Sequence, residues 1–165
     1  MPVFEESFRV PASRERVWEF LQDPARVAPC VPGCEEVTAH DADTFTARIR
    51  VKVGPITTNQ VVRLTVTERV APERLSSVGR GEDSKLASHV SVKGSLWLEP
   101  AEGGAVTEVR SRVEVTLTGR LATLGEHIMR AKTSEMVAMF AERLRQAVAT
   151  AVATGAPAPA GGLPA

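Results

Sequence analysis

Arg16-Val17-Trp18-Glu19-Phe20-Leu21-Gln22-Asp23-Pro24 reads as a short amphipathic helix with its stop signal attached. Val17, Trp18 and Leu21 recur at spacings of three and four, which gives the helix one face to bury. Ser13 stands where an N-cap hydroxyl can accept a bond from an orphaned first-turn N–H. Asp23-Pro24 ends this helix and can cap a second short turn reaching about Ala28. On the N-terminal side, Phe4, Phe8 and Val10 alternate with charged residues, a strand that Pro11 closes.

On the C-terminal side the period changes from helical to two. Phe45, Ala47, Ile49, Val51 and Val53 alternate with Thr44, Thr46, Arg48, Arg50 and Lys52, so one face is apolar and the other solvated. Gly54-Pro55 supplies a turn. Val62, Leu64 and Val66 then share a face of a strand running from about Thr57 to Arg69, which Ala71-Pro72-Glu73 ends. Leu75 to Arg80 reads as a shorter strand leading into a polar loop, Gly79 to Ser84. Val90, Val92, Leu96 and Leu98 form the next strand, with Gly94 as a candidate bulge. After Glu102-Gly103-Gly104, Val109, Val113, Val115 and Leu117 face inward with Ser111 among them. Six or seven antiparallel strands are expected.

Past Thr118-Gly119 the period becomes helical and holds from about Leu121 to Val152. Met129, Thr133, Met136, Phe140, Leu144, Ala147 and Ala151 make one apolar stripe that only the sheet can cover. The expected fold is therefore α+β, an antiparallel sheet wrapped around one long C-terminal helix, with two short helices near the N-terminus. It occupies one domain over residues 1–153. Residues 154–165 are rich in Ala, Pro and Gly and are expected to be a disordered tail.

Composition excludes several classes of function. Lysine plus arginine equal aspartate plus glutamate, 20 against 20, so no net field recruits nucleic acid. No run approaches the roughly 18 apolar residues of a membrane-spanning helix, and Met1 to Glu6 lacks a secretory pattern, so a cytoplasmic protein is expected. Cys30 and Cys34 stand as Cys-x3-Cys in a Pro/Gly turn. Without further ligands they make neither a zinc site nor a thioredoxin-like motif, and two reduced, partly buried thiols are expected. His40, His89 and His127 lie on three separate elements, so no catalytic triad and no metal site is expected. Asp83 and His89 read as a solvated loop acid and an ordinary strand histidine, Trp18 as packing, and Trp97 as an edge or contact residue on the polar face.

The chain resembles the helix-grip superfamily of START and Bet v 1-like proteins (SRPBCC). Within it the chain is most similar to the CoxG family, named for the CoxG subunit of carbon monoxide dehydrogenase. Val17-Trp18-Glu19-Phe20-Leu21-x-Asp23-Pro24 carries the superfamily. Pro32-Gly33, Val53-Gly54-Pro55-Ile56 and Gly119-Arg120-Leu121-Ala122-x-Leu124-Gly125, in this order, carry the family. The resemblance implies an accessory protein for a molybdenum hydroxylase of the carbon monoxide dehydrogenase type, concerned with its maturation or its attachment to the inner face of the membrane. Family members commonly continue past a Pro/Ala-rich linker into a membrane-binding segment. A peripheral membrane contact is thus implied through a C-terminal segment missing from this chain.

Beside that resemblance, the residues predict what a cavity between sheet and helix would hold. Val62, Leu64, Val90, Val92, Met129, Met136 and Phe140, with Ser111 and Thr133 as the polar exceptions, would line a site for a long apolar ligand. A cytoplasmic enzyme that passes electrons to a lipid-embedded quinone needs a carrier. The expected ligand is therefore a non-covalently bound respiratory quinone, menaquinone or ubiquinone. Two other readings stay open. In one, the cavity is vestigial and the chain is an adaptor working through Arg48, Arg50 and Lys52 or the segment from Arg80 to Lys85. In the other, the chain is an aromatase/cyclase-like enzyme, which requires polar groups converging inside the cavity.

Overall fold

A computed structural model describes residues 3–153; the tail expected at 154–165 lies outside the described residues. Strand β1 (Val3–Val10) leads into helices α1 (Arg14–Leu21) and α2 (Pro24–Val27), followed by β2 (Cys34–Ala39), β3 (Thr44–Val53), β4 (Ile56–Val70), β5 (Arg74–Asp83), β6 (Ser88–Ala101) and β7 (Val106–Thr118). A 3-10 turn, Gly119–Leu124, precedes the long helix α3 (Glu126–Ala153). Seven strands form one antiparallel sheet in the order β1-β7-β6-β5-β4-β3-β2. Each strand after β2 pairs with its predecessor, and β1 closes the order against β7.

The N-terminal caps form as expected. Ser13 accepts from the Arg16 N–H at 3.3 Å and Asp23 from the Ala25 N–H at 3.1 Å. On α1, Val17, Phe20 and Leu21 are buried, while Trp18 is half-buried and packs against the core they belong to. That core also takes Val10, Ala12, Cys30, Leu98 and Val109, and is completed from α3 by Leu144 and Val148. All of these lie at one end of the sheet, where α1 and the C-terminal half of α3 meet it.

Three local expectations are corrected. Gly79 to Asp83 is strand, continuous with β5, because its backbone pairs with β4 through Arg63↔Arg80 and Val61↔Glu82 and with β6 through Asp83↔Ser88. Gly94 is no bulge: Ser77↔Gly94↔Val113 runs in unbroken register, and the irregularities fall at Cys34/Glu36 and Val66/Glu68. The long helix begins at Glu126, five residues later than the stripe indicated. Gly125 adopts φ 95° and ψ 149°, a conformation open almost only to glycine, so the preceding turn cannot run on as α-helix. Among the described residues no helix is long and apolar enough to cross a membrane.

Candidate functional site

The strand register sorts the inner face of the sheet into rows. One runs Phe45, Leu64, Gly79, Val92, Val115, and the next Ala47, Val62, Gly81, Val90, Leu117. Val62, Leu64, Val90 and Val92 are thereby brought together, each pair separated by a glycine of β5. None of the four is fully buried. Side chains on both sides lean into the space the glycines leave. A Cβ on Gly81 would stand 2.8 Å from Val90 Cγ1 and 2.9 Å from Val62 Cγ2, and one on Gly79 would stand 3.2 Å from Leu64 Cδ1.

The helical residues divide. Met129 and Thr133 border a cavity of about 320 Å³ between the edge of the sheet and the start of α3. Phe4, Val115, Leu117 and Ala122 supply its apolar walls, and Glu126 and Arg130 stand at its rim, ion-paired at 3.0 Å. The Arg130 guanidinium lies 5.9 Å from the Phe4 ring centroid. Met136 is half-buried but does not border this cavity. Phe140 packs against the closed core instead. Ser111 sits in the row Leu75, Leu96, Ser111, Glu6, toward the closed end, and its hydroxyl donates to the Glu6 carbonyl at 3.5 Å.

Several inward polar residues escaped the sequence reading. Carrying the period of β4 back from Val62 places Gln60 and Thr58 on the same face, and both are buried. Asp83, expected in a solvated loop, is 6% exposed. Its carboxylate accepts from the Thr58 hydroxyl at 3.0 Å and from the backbone N–H groups of Asn59 at 2.9 Å and Lys85 at 3.0 Å. The Asn59 bond foremost holds its carboxyl below the usual aspartate range. His89 points to the other face, exposed, 3.7 Å from Glu82. Glu6 shares the inner face with Phe4 and Phe8, a parity visible in the sequence but passed over because β1 looked mixed.

The remaining polar chemistry is structural. Cys30 and Cys34 are free, and burial raises both thiols, so they stay protonated and weakly nucleophilic at neutral pH. Asp23 and Asp83 are the buried acids among the described residues, one capping α2 and the other holding a loop. No group of three metal-ligating side chains occurs among those residues.

Residues 7–149 match the family model for CoxG, the CoxG subunit of carbon monoxide dehydrogenase. The chain belongs to the CoxG family. This is an accessory-protein family and not a catalytic one. No curated protein matches the CoxG chain. Among solved structures it is similar to a conserved protein from Geobacillus kaustophilus, at 18% identity and TM-score 0.82, covering 91% of this chain and 97% of that one. A START superfamily protein from Mycobacterium smegmatis matches at 11% identity and TM-score 0.68, covering 90% and 97%. The ZhuI aromatase/cyclase from Streptomyces sp. R1128 matches at 15% identity and TM-score 0.68, covering 94% and 98%. These likenesses are of fold, and they place the CoxG chain among helix-grip, START-like proteins.

Proposed function

We propose that this CoxG-family chain is an accessory protein of a molybdenum hydroxylase of the carbon monoxide dehydrogenase type. In this reading it carries a respiratory quinone between that enzyme and the membrane. The observation that supports this most is the unequal burial of the inner face. One end is a closed core, whereas Val62, Leu64, Val90, Val92, Met129 and Met136 remain half-exposed between sheet and helix. Aliphatic side chains left wet on an inner face gain about 25 cal/mol per Å² when an apolar tail covers them. The cavity beside Met129 and Thr133 gives such a tail a starting place.

The test is lipid extraction from protein purified gently from its own cells, followed by mass spectrometry, alongside titration with decylubiquinone. A co-purified isoprenoid quinone and saturable binding are expected. Protein that is free of lipid and blind to the probe would sink the carrier reading.

A second reading, the adaptor, is favoured by the outer face. Arg63 and Arg80 stand directly opposite each other on β4 and β5, both exposed, near Arg48 and Arg50 of β3. Like charges in cross-strand register cost stability, and a docked acidic surface would relieve them. Charge reversal of Arg63 and Arg80 should abolish co-purification with the hydroxylase if this face docks, and leave it intact if it does not.

A further inference from the structure

Gln60 is 6% exposed, faces inward from β4, and its Oε1 has no hydrogen-bond partner. The orientation of the amide is dictated by a chain of donors. Asp83 is ionised and can only accept, so the single proton of the Thr58 hydroxyl goes to its Oδ2 at 3.0 Å. Thr58 Oγ1 must then accept from Gln60, and the Gln60 Nε2 donates to it at 2.9 Å. The acceptor end of the amide is thereby turned away and left empty. It shares the space over Gly81 with the two side chains nearest it, since a Cβ on Gly81 would stand 3.0 Å from Gln60 Oε1 and within 2.9 Å of carbons of both Val62 and Val90.

We infer that Gln60 reads the head of the ligand and selects one that donates a hydrogen bond, so that the site prefers a hydroquinone to the corresponding quinone. This inference rests on the quinone-carrier reading. A hydroquinone offers two O–H donors, whereas a quinone offers only carbonyl oxygens, whose lone pairs would face those of Oε1. A buried acceptor left unmade costs free energy that a donating ligand recovers and an accepting one does not. The flanking Val62 and Val90 are half-exposed, so a ring that parts them reaches the amide from the open part of the inner face. A preference for the reduced form suits a carrier that leaves its enzyme loaded.

The experiment is anaerobic equilibrium binding of decylubiquinone and decylubiquinol to the full chain. The wild type is expected to bind the quinol about tenfold more tightly, the worth of one recovered buried bond. Gln60→Leu should bring the two affinities to near parity. Thr58→Val, which removes the hydroxyl that fixes the amide, lets Nε2 turn inward and should raise quinone affinity relative to quinol. It decides the matter if Gln60→Leu does not fold. Equal affinities in the wild type, or an unchanged ratio in both variants, would overturn the inference while leaving the carrier reading in place. If neither form binds the wild type, the carrier reading falls and takes this inference with it.

Discussion

Asp83 gathers donors from two neighbouring segments onto one carboxylate: Thr58 and Asn59 from β4, Lys85 and Leu86 from the loop that follows it. Ionised, it accepts all of them; protonated, it loses most of that capacity. Its carboxyl sits below the ordinary range, so its stabilisation is fully present above about pH 4, the unfolded aspartate value, and is lost as pH falls through the lower folded value. Asp83→Ala should cost about 2 to 4 kcal/mol at pH 7, because buried donors lose a charged acceptor. Urea unfolding between pH 3 and pH 7 checks both statements, and the variant should lose less stability than the wild type on acidification. Equal acid sensitivity would show that another carboxylate controls the transition. Nothing local in Gly81-Glu82-Asp83 marks this role, since glycine beside two acids resembles a loop. Only the inward parity of β5 and the facing β4 residues reveal it.

At the scale of elements, the strands were legible because β-branched residues alternate with polar ones over long stretches, and a sheet with one covered face demands that pattern. Phe45 to Val53 and Val62 to Val66 needed no tertiary information. The start of α3 was not legible in the same way. Leu121 and Leu124 keep helical spacing through the 3-10 turn, which differs from α-helix by a single step in hydrogen bonding. The break is carried by Gly125 alone, and it opens the side of the cavity beside Ala122 and Met129. Gly125→Ala should therefore destabilise by about 1 to 3 kcal/mol through backbone strain. It should also weaken decylubiquinone binding by moving the first turn of the helix. Thermal unfolding and titration on the same preparation would separate the two effects, and a variant as stable as the wild type would show that the turn is not under this constraint.

For the whole molecule, the decisive fact is that α3 meets the sheet unequally along its length. Its C-terminal half is locked by Leu144 and Val148 against Val10, Val17, Leu98 and Val109, all of them buried. Its N-terminal half carries Met129, Thr133 and Met136, none of them fully covered. The helical stripe could not foretell where packing stops, because the spacing of apolar residues is the same at both ends. The tilt that separates helix from sheet is set by the remote contacts of the closed end. Stability and binding should therefore divide along one helix. Leu144→Ala should cost about 2 to 5 kcal/mol, as for other core leucines, with little effect on ligand affinity in the protein that remains folded. Thr133→Trp places bulk in existing space. It should leave the unfolding midpoint within a few degrees of the wild type and abolish decylubiquinone binding, whereas in a close-packed site it would cost about 1 to 3 kcal/mol by overpacking. Denaturant unfolding and probe titration of the two variants together test the division. A strongly destabilised Thr133→Trp protein would mean that the N-terminal half of α3 is packed core after all, with no room for the tail of a carried quinone.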